Sequence, residues 1–232
     1  MIVGIMGFAR TGKNTVADFV RANAHTVGLS FVEVALADAV KRTVAQLFDF
    51  TEEQCWGSEK DKPDRRYPRP HKWVNELGWE RCACCRVTLA NEQSQCYLTP
   101  RYAQQMVGTE GGRACVADIW VRKLLKTAHE LQRGGYSYKR TQGLVLAPMS
   151  PFDVVVPDVR FCNEVARIKE AGGQVFRVKH PERDSPPFMH ASEVEQTLIP
   201  DEDLDGVIYN DGTLEDLERK VKETILTAKL RP

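Results

Sequence analysis

The sequence predicts an α/β protein in which a parallel sheet carries helices on both faces. Three observations predict it. Short apolar runs rich in β-branched residues alternate with amphipathic helical stretches. The first run, residues 2–6, opens directly into the glycine-rich turn Gly7-Phe8-Ala9-Arg10-Thr11-Gly12 and then a helical pattern. The strongest later run, residues 152–156, is continuously apolar after Asp153 and closes on Pro157-Asp158, as a strand buried on both faces does.

In chain order, residues 2–6 are expected as a buried parallel strand and 13–27 as a helix, with Val16, Phe19, Val20 and Val27 on one face. Residues 31–35 are expected as a second strand and 38–48 as an amphipathic helix. The charged, proline-rich stretch 59–70 reads as loop, and 80–100 holds four cysteines with little periodicity. Helices are expected over 102–107 and 117–131, separated by the glycine-rich turn 108–113; 134–151 reads as an irregular connector. After the strand at 152–156 come a helix at 163–171 closed by Gly172-Gly173, strands at 174–178 and 206–209, and a last helix from Thr213 to about Ala228. The whole is expected as a single domain. Its core is 1–50 and 150–232, and the middle, about 51–150, is a helical insertion at the sheet's C-terminal edge.

The bulk properties bound the function. A chain of 232 residues can bury one sizeable α/β core. Lys plus Arg and Asp plus Glu are 32 each, so the net charge is zero, which argues against a protein that coats nucleic acid. No apolar run approaches the roughly 20 residues of a membrane span, and the start lacks a signal peptide's basic region. Seven cysteines at uneven spacing suit a reducing compartment, so the cytoplasm is the expected location.

The chemistry-bearing residues begin with the glycine turn. Gly7 and Gly12 let a backbone wrap a polyphosphate, a helix N-terminus adds a positive field, and Lys13 adds a mobile charge. Asn14 stands where Ser or Thr is usual, with Thr15 next. Asp158 at a strand end could organise magnesium or act at a reacting centre, with Arg160 neutralising developing charge; the plainer reading is a cap on the following helix. Arg113 offers a guanidinium fork for a phosphate. Arg65, Arg66 and Arg69 are either a phosphate clamp or a solvated loop, and Asp38 reads as a helix cap. His190-Ala191-Ser192-Glu193 reads as a helix start, and Asn210-Asp211-Gly212-Thr213 as a turn and cap. Cys82 and Cys85 have the gap of a shared Zn²⁺, which Cys96 with Cys84 or His71 would complete; the alternative is a set of reduced thiols. Cys55, Cys115 and Cys162 read as packing residues.

Taken in order, these segments resemble the deoxynucleoside monophosphate kinases of tailed bacteriophages, which are phosphate-loop kinases. The resemblance runs through residues 7–19, Leu36-Ala37-Asp38, 105–113, Asp118-Ile119-Trp120, Asp158 to Glu164, His190 to Glu193 and Asn210 to Thr213. It implies a three-layer P-loop kinase fold with a parallel sheet and a helical lid region. It implies ATP held by Gly7, Arg10, Thr11, Gly12, Lys13, Asn14 and Thr15, with Asn210 and Gly212 near the adenine. Asp38, Arg65, Gln105, Arg113, Asp118 and Trp120 would hold the deoxynucleotide, and Lys13, Asp158 and Arg160 would act at the reacting centre. Magnesium would sit at Asn14 or Thr15. The cysteine-bearing insertion departs from the family pattern. The expected reaction is phosphoryl transfer from ATP to a deoxynucleoside monophosphate, in host-cell cytoplasm if the chain is phage-encoded; a homodimer is open to it. Rival readings are a kinase for a dephospho-coenzyme A-like molecule, a kinase for modified bases in DNA, and a nucleotide-binding module without catalysis.

Overall fold

The computed structural model describes residues 1–76, 79–88, 95–183 and 191–227. It divides into two compact units, Met1–Asp38 with Asp118–Pro232, and Ala39–Ala117.

The first unit is built on a five-stranded sheet: β1 (Ile2–Met6), β2 (Phe31–Glu33), β3 (Asp153–Val159), β4 (Gln174–Lys179) and β5 (Gly206–Tyr209). The order across the sheet is β5-β4-β1-β3-β2 and every pairing is parallel. Gly4 pairs with Val175 on one side and Val156 on the other. The register against β3 shifts between Gly4 and Met6. That shift lies beside Pro157, which has no N–H to give to a ladder.

Side-chain alternation sends residues to two cores. Ile2, Met6, Val154, Val156 and Val175 face the helices Ile119–Arg133 and Cys162–Glu170, packing with Val121, Leu124, Ala128, Leu131, Val165 and Ile168. Val3, Ile5, Val155, Phe176 and Val178 face the helices Lys13–Asn23 and Leu214–Val221, packing with Val16, Ala17, Val20, Leu217 and Val221. Every second residue of a central strand is thus buried on opposite sides, which is why the strands read as continuous apolar runs. The result is the expected three-layer α/β fold, a parallel sheet with helices on both faces.

The second unit continues the Leu36–Phe48 helix into the capped helix Glu52–Trp56. It then forms two antiparallel pairs, Asp64–Arg69 with Cys96–Leu98 and Trp73–Glu76 with Trp79–Cys82. Rings of Phe48, Phe50 and Tyr67 pack edge-on and stacked, with centroids 5.4–5.9 Å apart. Arg66 grips the buried Asp64 carboxylate from 2.7 Å and holds its pKa far below the usual range. Helix Pro100–Gln105 runs on into a π-helical stretch, Met106–Arg113.

Several sequence expectations change here. The stretch 59–70 contains a strand, because Asp64 and Arg69 pair across to Leu98 and Cys96. The glycine-rich 108–113 is helical, not a turn. The connector 134–151 contains the hairpin Tyr136–Lys139 with Gly143–Leu146. The compact units divide at 38/39 and 117/118 instead of near 50 and 150, because Ile119–Arg133 packs its apolar face on the sheet. Among the described residues no helix is long and apolar enough to cross a membrane. Phe176 is fully buried between sheet and helices. Phe176→Ala should cost about 3–5 kcal/mol, read as a lowered urea midpoint.

Candidate functional site

At the C-terminal end of β1 the backbone must turn sharply. Gly7 has φ +140°, and a Cβ there would come within 2.4 Å of the Val178 carbonyl of β4, so only glycine fits. Gly12, at φ +101°, precedes the Lys13–Asn23 helix, and a Cβ there would meet the Asn210 amide at 2.6 Å. Between them, donors hold the loop's carbonyls. Phe8 O accepts from the Thr11 hydroxyl at 3.0 Å and from Lys13 Nζ at 2.5 Å. Thr11 O accepts from Asn210 Nδ2 at 3.0 Å, and Arg10 O from Arg183 at 2.8 Å. Carbonyls engaged in this way are withdrawn from an anion. The first turn of the following helix contains no acidic residue, so its positive end is uncompensated there. Glycines at two positive-φ positions, an adjacent Lys and a helix N-terminus fit a polyphosphate.

Two further residues brace the loop. Gly7 N–H donates to Gln196 Oε1 at 3.2 Å, and Gln196 is buried in the helix Ala191–Thr197. Arg177 of β4 donates to the Gln196 and Ile199 carbonyls and ion-pairs with Asp201, which fixes that segment against the sheet. Sequence reasoning missed Gln196 because it lies mid-helix with no motif. Asn210, by contrast, was expected near the nucleotide and here closes the loop.

The second part of the site is the end of β3. Asp158 accepts from the backbone N–H of Leu36 at 2.8 Å and of Ala37 at 2.9 Å, so its carboxylate caps the start of the Leu36–Phe48 helix. Burial pushes its pKa up, and those two N–H groups with Arg160 oppose the rise. The helix that follows β3 is served instead by Glu164, which accepts from Arg160 N at 2.8 Å and Phe161 N at 3.1 Å. The plainer reading of Asp158 therefore finds a cap, but on a helix far away in sequence. Asp38 is buried at this edge, accepting from the Tyr138 hydroxyl at 3.0 Å and from Ala35 N. Tyr138 lies on the unexpected hairpin and was not identified from sequence. Arg160 is exposed just beyond β3.

The remaining expected residues are distributed as follows. Asn14 is exposed and Thr15 half-buried in the first helical turn. Thr11 is fully buried, so its side chain serves the turn. Gly212 sits against Asp216, which forms a capping box with Thr213. Asp118 ion-pairs with Arg122 and Arg167, and Trp120 packs on the core; both are used by the fold. In the other unit, Gln105 and Arg65 are exposed and Arg113 half-buried. Arg66 is committed to Asp64 and Arg69 stacks on Tyr102 at 4.3 Å. Cys55 is buried as expected, but Cys115 and Cys162 are exposed, so they are not packing residues. His190 lies outside the described residues, as do the side chains of Ser192 and Glu193.

In the cysteine-bearing region His71, Cys82, Cys85 and Cys96 offer ligand atoms all within 4.8 Å of one another. Burial opposes ionisation of Cys82, yet N–H donors of Cys85, Cys84 and Lys72 and the His71 ring bring its pKa down to about 6. Burial pushes the Cys96 thiol up. Cys84 is turned away, its thiol 3.1 Å from the Tyr97 carbonyl.

No protein-family model matches the chain. It is 28% identical over 225 residues, 95% of this chain and 94% of the other, to a provisionally named deoxynucleotide monophosphate kinase of Acanthamoeba polyphaga mimivirus. It is 24% identical, over 97% of this chain and 98% of the other, to the deoxynucleotide monophosphate kinase of Enterobacteria phage T4. Both proteins of that name are thus similar to this chain over nearly its full length. Solved structures with a similar outline include shikimate kinase from Aquifex aeolicus, at 9% identity and TM-score 0.44, covering all of both chains. Dephospho-CoA kinase from Campylobacter jejuni, at 14% identity and TM-score 0.42, covers 98% of this chain and 96% of its own. The strand order and the glycine loop, not these likenesses, define the fold.

Asp158→Ala removes both acceptors from the start of the Leu36–Phe48 helix. It should cost about 1–2 kcal/mol in urea unfolding, with Asp158→Asn losing less because the amide oxygen still accepts.

Proposed function

We propose that the chain transfers the γ-phosphoryl group of ATP to a deoxynucleoside 5′-monophosphate, giving ADP and the deoxynucleoside diphosphate. The observation that carries this is the loop from Gly7 to Lys13, braced by Gln196 and Asn210, at the same sheet edge as Asp38 and Asp158. Kinship over nearly the full length with deoxynucleotide monophosphate kinases supports the choice of acceptor.

In this reading the loop N–H groups and Lys13 hold the donor's phosphates, and Lys13 follows the transferred group. Asn14 and Thr15, in the first helical turn, are the side chains that would hold Mg²⁺, which supplies charge neutralisation when bound. The acceptor phosphate is already anionic, so no strong general base is required. Alignment and charge neutralisation therefore supply the rate. Asp158 acts by setting the start of the helix that bears Asp38, and Asp38 is offered to the acceptor nucleoside. Arg160 lies beside the reacting centre as a cation for developing charge. Arg113, Arg65 and Gln105 are assigned to the acceptor on the family resemblance. Asp118 and Trp120 are part of that resemblance too, acting through the packing of their helix.

The test is an acceptor panel with MgATP and all common deoxynucleoside and ribonucleoside monophosphates, with dephospho-coenzyme A and polymeric DNA beside them. The expected outcome is diphosphate formed from deoxynucleoside monophosphates. Transfer only to dephospho-coenzyme A or to DNA, or ATP binding with no transfer, overturns the reading. Lys13→Ala should lower kcat/KM by roughly a hundred- to a thousandfold with the circular dichroism spectrum unchanged.

A further inference from the structure

The unit Ala39–Ala117 holds a second cluster of chemistry-bearing side chains, one that the proposed function does not use. Its four ligand-bearing side chains come from three places. Cys82 ends the strand Trp79–Cys82, and Cys85 closes the turn that follows. Cys96 opens the strand Cys96–Leu98. His71 precedes the strand Trp73–Glu76, its ring stacked on Trp73 with centroids 4.7 Å apart at 19°.

All four ligand atoms lie within 4.8 Å of one another, and two of the separations have tetrahedral values. With Zn–S of about 2.3 Å and Zn–N of about 2.0–2.1 Å, tetrahedral geometry requires S···S near about 3.8 Å and S···N near about 3.6 Å. Cys82 Sγ and Cys96 Sγ are 3.6 Å apart, and Cys85 Sγ lies 3.6 Å from His71 Nδ1. A disulfide would need about 2.05 Å, and all these cysteines are free.

The turn is shaped for the same purpose. Cys82 N–H donates to Val87 O at 2.8 Å, Arg86 N–H donates back to Cys82 O at 3.0 Å, and Arg86 takes φ +63°. This folds Cys82 and Cys85 to one side, and the N–H groups of Cys84 and Cys85 are aimed at the Cys82 sulfur. N–H donors of this kind stabilise a metal-bound thiolate. Cys84 is excluded from the set, which leaves three sulfurs and one imidazole.

We propose that His71, Cys82, Cys85 and Cys96 bind one structural Zn²⁺ that ties the 71–85 segment to the Cys96–Leu98 strand. Four protein ligands close the coordination sphere and leave no position for substrate, so the ion acts on folding rather than on chemistry. Sulfur-rich tetrahedral donors select zinc over magnesium, so this site does not compete for the ion that accompanies ATP. Binding displaces the thiol protons to solvent.

The test is the metal content of the full chain purified from zinc-containing medium, together with Co²⁺ added to metal-free protein. About one zinc per chain is expected, along with the visible ligand-field bands of tetrahedral thiolate-bound cobalt. Cys85→Ser and Cys96→Ser should each reduce zinc to below about a tenth of wild type, while Cys115→Ser and Cys162→Ser, both exposed, retain it. A wild-type chain that carries no zinc and gives no tetrahedral cobalt spectrum overturns the proposal. So do ligand variants that fold and keep full zinc. Should those variants fail to fold, the wild-type zinc content and cobalt spectrum decide.

Discussion

The structure depends most on how the chain leaves β1. That strand is central, flanked by β4 and β3, so the backbone beyond Met6 has to turn in a space bounded by the Val178 carbonyl. Only a residue without a Cβ makes that turn. Once Gly7 has made it, the loop wraps back onto Phe8 through Thr11 and Lys13 and hands the chain to a helix whose N-terminus points at the same space. The loop proposed to cradle phosphates is therefore a consequence of burying β1 in the middle of a parallel sheet, not an ornament added to it.

The rest of the sheet edge is organised around that cradle by long-range hydrogen bonds. Gln196 and Asn210 reach the loop from 189 and 199 residues away. Asp158 reaches the Leu36–Phe48 helix from 122 and 121 residues away. Each such bond ties the end of one strand, or the segment that follows it, to a segment that follows another. The braces are the buried Gln196 amide, the half-buried Asn210 amide and the Asp158 carboxylate, each bonded to backbone groups. Arg177 extends the same logic, holding the Gln196 helix by its carbonyls.

Legibility in the sequence followed the range of the interaction. β1, the loop and the Lys13–Asn23 helix were readable because a glycine turn between an apolar run and an amphipathic helix is a local demand with a local mark. β3 was readable because burial on both faces leaves the unbroken run Val154-Val155-Val156, and β4 and β5 because short apolar stretches follow glycines. The hairpin carrying Tyr138 was not readable: Tyr136-Ser137-Tyr138-Lys139 is half-buried and mixed in polarity. The strand Asp64–Arg69 was hidden by four charged residues and a proline, and its partner lies across the cysteine region. Asp158 was flagged for its position at a strand end, but its true partners are set by tertiary structure. Likewise the Cys82–Cys85 gap is legible as a candidate ligand pair, while the choice of His71 over Cys84 as its neighbour follows from packing. Asp118 and Trp120 illustrate the converse, since a family motif can be held in place by fold contacts such as the Arg167 ion pair.

In the proposed function the loop from Gly7 to Lys13 holds the nucleotide's phosphates. The most direct measurement is the amide nitrogen–proton spectrum of the labelled protein titrated with MgADP. Shifts are expected to concentrate on the backbone amides of Gly7 to Asn14 and on the side-chain amides of Gln196 and Asn210. Saturable nucleotide binding that leaves the Gly7 and Gly12 amides unmoved, with shifts gathered elsewhere, would contradict it.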